Sequence, residues 1–165
     1  LLMLLCPALT MRLFAEERNS GMWDLLRSKR VPVWRLVSGK FFAAWLLMLI
    51  ALLPCVVHYF AVAYMAEPMG NLDAGAFAGA FVGLILLSAA FLGIGLLAAT
   101  LSHSQIVCFI LGALGCFVLY WVLLQDHYRS LARGVIDLRD VLLMLSTAVI
   151  GVLLSLGKLQ STTDH

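Results

Sequence analysis

Long apolar runs alternate with short polar segments along this chain of 165 residues. Four of the runs are close to the roughly 20 residues that an α-helix needs to cross a bilayer. They cover residues 41–65, 77–101, 106–124 and 141–157, and none of them contains Asp, Glu, Lys or Arg. The pattern therefore predicts an all-α polytopic membrane protein with four complete spans.

The first apolar run is shorter than these four. Residues 1–9 are apolar but cannot cross a bilayer by themselves. We expect residues 1–17 to be the end of a truncated span together with its extension into the cytoplasm. Sequence upstream of Leu1 is therefore expected to be missing.

The longest polar stretch follows, and it holds most of the basic side chains. Residues 7–41 contain seven of the eleven Lys and Arg residues, against three acidic ones. Within it, Ser20 can cap a short helix over residues 20–28 that has Asp24 in its first turn. Pro32 then ends that helix and starts the next one. Trp34, Arg35 and Lys40 are placed as interfacial anchors at the mouth of the first complete span.

Basic residues concentrate in cytoplasmic segments of membrane proteins, which sets the orientation. With residues 10–40 in the cytoplasm, the loop around Asp73 and the segment 125–140 lie outside, and the C-terminus lies inside. Arg129, Arg133 and Arg139 are then outside, but three Asp residues in the same segment neutralise them. We expect a multi-pass protein of the bacterial inner membrane.

Glycines recur at every fourth position near the start of the second complete span, at Gly75, Gly79 and Gly83, and Gly93 and Gly95 follow later in the same span. Small residues at this spacing allow another helix to approach closely. The partner helix belongs either to the same chain or to a second subunit.

Composition supports the membrane assignment and excludes several functions. Charged residues make up 12% of the chain, against roughly 25% in soluble proteins. The basic residues flank apolar runs and have acidic neighbours, so no nucleic-acid surface is indicated. The four cysteines all lie in apolar runs and are expected to be buried. His58 is the one titratable base within a predicted span, and Pro54 should kink that span.

The sequence contains no recognisable motif for catalysis, nucleotide binding or metal binding. It has no P-loop, no zinc-binding H-E-x-x-H motif and no G-x-S-x-G nucleophile motif. The uncharged spans also argue against coupling to protons or sodium ions. We therefore expect no catalytic, metal or cofactor site, and any energy supply must come from another subunit.

Two motifs resemble a known family. One is P-A-L-T-M-R-x-F-x-E-E-x-x-x-G-x-x-x-L-L at Pro7–Leu26, followed by W-x-x-V-x-G-K-F-x-A at Trp34–Ala43. The other is H-Y-R-S-L-A-R-G-V-I-D-L-R-D at His127–Asp140. Both are similar to segments of ABC-2 type transporter permeases, most of all the gliding-motility-type and copper-processing-type permease subunits.

The resemblance implies a helix bundle with a cytoplasmic coupling helix at residues 20–28 that docks on an ABC ATPase subunit. It also implies an outer re-entrant helical pair at residues 125–140. Two permease subunits, in a homodimer or heterodimer, would work with ATP bound to the partner ATPase subunits, and export is the expected direction. The coupling residues would be Glu16, Glu17, Arg18, Ser20, Gly21, Trp23, Leu25, Leu26 and Arg27. The re-entrant residues would be His127, Arg133, Gly134, Asp137, Arg139 and Asp140.

Simpler interpretations remain open for both segments. Residues 20–28 also fit an amphipathic helix lying on anionic lipid, and residues 125–140 fit a solvated loop. The alternative function is a non-transporting membrane protein whose basic segment recruits or anchors a cytosolic partner. A neighbouring gene for a P-loop ATPase would favour the transporter, and its absence would favour the anchor protein.

Overall fold

The computed structural model describes residues 2–19, 33–65, 73–102, 104–125, 128 and 137–163. Within these ranges the chain is almost entirely helical and contains no strand. The helices are α1 (Leu2–Asn19), α2 (Val33–Met65), α3 (Ala74–Leu101), α4 (Gln105–Leu119) and α5 (Leu138–Thr163), and a π-helical turn at Tyr120–Leu124 extends α4.

Four segments are long and apolar enough to cross a membrane, which confirms the predicted fold class. They are Trp34–Met65, Ala74–Leu101, Gln105–Val122 and Leu138–Gln160. The helices are longer than the apolar runs: α2 begins at Val33 and α5 continues to Thr163. Helices continue beyond the hydrocarbon layer because their hydrogen bonds lie within the chain and do not depend on lipid.

Side chains next to the spans define two of the helix starts. The Asp73 Oδ1 atom accepts hydrogen bonds from the backbone N–H groups of Gly75 (3.0 Å) and Ala76 (3.2 Å), which caps α3. The Asp137 Oδ1 atom accepts in the same way from the N–H of Arg139 (3.1 Å) before α5. Both caps satisfy amide groups that have no partner within the helix.

Helix α3 lies at the centre of the bundle and contacts each of the other helices, most extensively α5, α1 and α4. More than half of its membrane-crossing window is buried (56%), against 11% for α2. Asn19 of α1, Val33 of α2 and Leu101 of α3 share one end of the bundle, called here the Asn19 end. Met65 of α2 and Asp73 share the opposite end, called here the Asp73 end.

Two clusters of apolar side chains form the core. The larger one is centred on Phe91 and Leu92 of α3 and consists of Cys6, Ala44, Met48, Leu87, Ala90, Phe91, Leu92, Cys116 and Met144. The smaller one lies nearer the Asn19 end and joins Val37, Leu96, Ala99 and Leu159. Large apolar side chains on the outside of every spanning helix remain exposed, as expected where the surroundings are lipid.

Buried hydroxyl groups donate to backbone carbonyls one turn earlier in their own helices. Ser88 donates to the carbonyl of Ile85, Thr100 to that of Leu97, and Ser155 to that of Val152, each at 2.7 Å. Among the described residues no buried side-chain nitrogen or oxygen lacks a hydrogen-bond partner. This matters because an unpaired polar group in an apolar interior costs several kcal/mol, roughly 2–7 depending on the reference state.

Helices α3 and α5 cross with their backbones in close contact. A Cβ atom added to Gly151 would lie 2.6 Å from the carbonyl carbon of Gly93. A Cβ atom added to Gly93 would lie 2.8 Å from the carbonyl oxygen of Ala148. The obstacles are backbone atoms, so no rotation of a side chain can make room. Glycine at both positions is what brings these two backbones together.

The three glycines that recur at every fourth position lie at the other end of α3. Gly79 and Gly83 are buried, whereas Gly75 is exposed in the capped first turn. Their proposed contact with a second helix or subunit stays a prediction.

Two expectations about individual side chains were wrong. Lys40 is not an exposed interfacial anchor, because it is only 7% exposed and lies on the same face of α2 as the buried Val37 and Ala44. Cys55 is exposed, although the other three cysteines are buried as expected. Its position on the outward face of α2 explains the difference, since most of that helix faces away from the bundle.

The glycine crossing makes a prediction about stability. Gly151→Ala should lower the free energy of unfolding by about 1–2 kcal/mol, because overpacking against fixed backbone outweighs the better helix propensity of alanine. The measurement is unfolding of the purified protein in detergent. Gly157→Ala is the matched control, since a Cβ atom there meets nothing within 4 Å. Equal stability of the two variants would contradict the crossing.

Candidate functional site

Helix α1 connects the core of the bundle to the basic segment that follows it. The helix has 18 residues and, at roughly 1.5 Å per residue, is about 27 Å long. Its first half is packed in the bundle, with Cys6, Pro7 and Thr10 buried. Its backbone continues as a helix to the Asn19 end.

Contacts with α3 and α4 hold the packed half of α1 in place. The Thr10 side chain fills the space beside Gly95, where an added Cβ atom would overlap the Thr10 Oγ1 atom. A Cβ atom added to Gly112 of α4 would lie 3.1 Å from the Cβ atom of Pro7. The α1 contact cluster, as we call this group, consists of Cys6, Pro7, Thr10, Ser88, Gly95 and Gly112.

Hydrogen bonds in the α1 contact cluster run from side chains to backbone carbonyls. The Thr10 hydroxyl donates to the carbonyls of Cys6 and Pro7, 3.1 Å from each oxygen. The thiol of Cys6 lies 4.0 Å from the carbonyl oxygen of Ser88 on α3. The threonine thus satisfies its polar group within α1 while its side chain occupies the gap at Gly95. The first half of α1 is therefore in close contact with both α3 and α4.

The predicted coupling residues continue from this cluster. Glu16, Glu17 and Arg18 belong to the last turns of α1. The structure places their backbone in the helix, and the described side chains of α1 end at Arg12. Ser20, Gly21, Trp23, Leu25, Leu26 and Arg27 lie outside the described residues. The coupling helix at residues 20–28 therefore stays a prediction.

The predicted outer segment reaches the bundle at the Asp73 end. Asp137 and Arg139 are exposed around the start of α5, whereas Asp140 in its first turn is buried. Tyr128 packs against the larger core cluster. Burial and the neighbouring Tyr120 raise the pKa of the Tyr128 hydroxyl, which keeps it neutral. His127, Arg133 and Gly134 lie outside the described residues.

A cavity of about 430 Å³, called here the α2 cavity, separates part of α2 from α3 and α5. Its wall includes Phe42 and Trp45 of α2, Ala89 of α3, and Val149 and Leu153 of α5. The Trp45 indole crosses the gap between α2 and α3, where its N–H donates to the carbonyl of Ile85 at 3.4 Å. Packing of α2 on the bundle is therefore incomplete, in contrast with the packing of α1.

A second hollow lies between α2 and α3 toward the Asp73 end. This open groove of about 640 Å³ is lined in part by Cys55, His58 and Tyr59. Tyr59 stacks on Phe77 with ring centroids 4.0 Å apart. Within the described ranges, no three His, Cys, Asp or Glu side chains are grouped to hold a metal ion.

The residues that join α1 to the bundle were not identified from the sequence. Pro7 and Thr10 belong to the motif at Pro7–Leu26, which indicates no contact for them. Gly95 was identified as a small residue but without a partner, and Gly112 lies outside the glycine pattern. Tyr128 was likewise part of a motif without an assigned contact. A small residue in one helix opposite a larger one in another leaves no signal in a single sequence, because the pairing depends on the register of the two helices.

The chain matches one family model. Residues 1–155 match the model described as "ABC-2 family transporter protein". No curated protein matches the chain, and no solved structure matches it either. The match covers most of the chain. It includes α1, the α1 contact cluster and the part of α5 up to residue 155. The chain belongs to the ABC-2 family of transporter membrane subunits.

Proposed function

We propose that this chain is the permease subunit of an ABC exporter in the bacterial inner membrane, driven by ATP hydrolysis on separate ATPase subunits. Membership of the family supports a permease subunit. The partner ATPase, a second permease subunit and the direction of transport belong to the proposal. The placement of the Asn19 end in the cytoplasm is also part of the proposal.

The observation that carries the proposal is the α1 contact cluster. ATPase subunits work in the cytoplasm, so their motion must enter the bundle through a cytoplasmic element that is firmly attached to the spans. Helix α1 has this property, because Thr10 fits against Gly95 of α3 and Pro7 against Gly112 of α4. The segment 20–28 follows α1 directly, and we propose that it docks on the ATPase.

In the proposed mechanism, closure of the ATPase dimer on ATP moves residues 20–28, and α1 transmits the displacement. Helix α3 then moves with α1 and carries α5 with it through the Gly93–Gly151 crossing. Interfaces packed this closely respond by switching between arrangements rather than by bending continuously. Residues 125–140 would close or open the outer side of the path.

The docking step is tested by changing the apolar edge of residues 20–28. Leu25→Asp combined with Leu26→Asp should abolish co-purification with the ATPase subunit, because two carboxylates cannot enter an apolar groove without a large desolvation cost. Membrane insertion should be unchanged. Ser104→Asp, which adds a carboxylate at an exposed position of the same end of the bundle, serves as the control. Unchanged co-purification of the double variant would favour the anchor protein.

The transmission step is tested at Gly95. A methyl group there should displace Thr10 and loosen α1 from α3, while the ATPase still binds. In a cysteine-free background carrying Ala74→Cys, ATP with vanadate should change the labelling rate of that cysteine. Gly95→Ala should reduce this change about tenfold, which corresponds to a contact weakened by about 1.4 kcal/mol.

Two further variants make the transmission test specific. Thr10→Ala combined with Gly95→Ala removes the obstructing side chain and should restore most of the response, since neighbouring residues are energetically coupled. Gly39→Ala should behave like the unmodified protein, because a Cβ atom there meets nothing within 4 Å. A normal response in Gly95→Ala would show that α1 is not the transmitting element.

The orientation is tested by labelling both ends of α3. In intact cells, an impermeant maleimide should label Ala74→Cys from the outside, and it should label Ser104→Cys only after the membrane is permeabilised. Both positions are exposed, and the 28 residues of α3 between them span more than the hydrocarbon layer of about 30 Å. The reverse pattern would place the basic segment outside and remove the proposed contact with a cytoplasmic ATPase.

A further inference from the structure

The α2 cavity has no polar group to offer a water molecule. Ser38 and Trp45 carry the polar atoms of its wall, and both are already engaged. The Ser38 hydroxyl donates to the carbonyl of Trp34 at 2.7 Å, and the Trp45 N–H donates to Ile85. A buried water needs two to four polar partners, roughly three on average. The cavity therefore suits an apolar occupant.

The cavity opens toward the outside of the bundle rather than toward its core. Phe42, Leu145, Val149 and Leu153 belong to its wall and are each about half exposed. These residues lie on segments that are apolar and long enough to cross a membrane, so the medium at the opening is lipid. Along α5 the wall extends from Leu145 to Leu153, about 12 Å at roughly 1.5 Å per residue. An elongated hydrocarbon chain matches this shape.

A cationic side chain lies about one helical turn from Ser38 in the cavity wall. Arg35 is exposed and lies three positions before Ser38, so it is about one turn away on the same side of α2. Its guanidinium carbon is 5.3 Å from the centre of the Trp34 ring, which is also exposed. Tryptophan is enriched at the headgroup level of membranes, and arginine binds phosphate groups with paired hydrogen bonds.

We propose that the α2 cavity is a binding site for an anionic phospholipid, with one acyl chain between α2 and α5 and the phosphate at Arg35. The lipid completes the packing that α2 lacks in the bundle. This site does not depend on the identity of the cargo or on coupling to an ATPase. A helix from elsewhere in the transporter would compete for the same space.

The proposal is tested by native mass spectrometry of the protein purified from membranes in a mild detergent. Phosphatidylglycerol and phosphatidylcholine are added at equal concentrations, and the bound fraction of each is measured. The unmodified protein should retain phosphatidylglycerol preferentially. Arg35→Gln should reduce that retention about fivefold, the effect expected for one basic side chain at an anionic lipid surface. It should reduce phosphatidylcholine retention less, because the choline group offsets the charge of its phosphate. Arg139→Gln, an exposed cation at the other end of the bundle, is the control.

The acyl-chain part of the site is tested by filling the cavity. Ala89→Phe should reduce retention of both lipids at least fivefold, whereas Ala61→Phe, on the exposed face of α2 outside the cavity, should not. Chain-brominated phosphatidylglycerol should also quench tryptophan fluorescence of the unmodified protein saturably, and Trp45→Phe should remove that component. Equal retention by the two phenylalanine variants would overturn the proposal. Absence of bound lipid from the unmodified protein would do so too and would indicate a protein occupant.

Discussion

The bundle depends on the close contact between the backbones of α3 and α5 at Gly93 and Gly151. In lipid there is no hydrophobic effect to press helices together, because the surroundings are as apolar as the side chains. Cohesion must come from dispersion contacts, which weaken steeply when a gap of even 0.5–1 Å opens. Two glycines facing each other remove that gap. The same principle operates at Gly95 and Gly112, where α1 packs against α3 and α4.

This constraint explains the unequal packing of the spans. Helix α3 supplies small residues toward several neighbours and is the most buried span, whereas α2 has large side chains along most of its length and is the least buried. Phe42 and Trp45 of α2 keep the backbones apart, and the α2 cavity is the result. Close packing and open packing thus follow from side-chain size at the contact rather than from hydrophobicity, which is similar in all the spans.

Side-chain size at the helix contacts also separates what the sequence predicted from what it did not. Length and apolarity of the runs identify spanning helices, because the bilayer imposes both. The family motif around Pro7 and Thr10 was found as a pattern of letters, but its contact with Gly95 requires the register of two helices. The burial of Lys40 was missed for a related reason: an isolated lysine near the start of a span fits an anchor, and only the face shared with Val37 and Ala44 shows otherwise.

Unequal packing has a consequence for a subunit that must move. Helices α1, α3 and α5 are joined through glycine contacts, so a displacement applied at the Asn19 end would be carried by all three with little loss between them. Helix α2 packs less extensively on α3, through the indole hydrogen bond at Ile85, the stacking of Tyr59 on Phe77 and apolar groups around a cavity. Relative motion would therefore occur most easily between α2 and the group formed by α1, α3 and α5, because sliding there breaks the fewest close contacts. An acyl chain in the α2 cavity would follow such sliding without leaving a void, since its torsions adjust to the space at small cost. In the proposed mechanism the tight contacts and the open one would have complementary roles, one in transmitting force and the other in permitting movement.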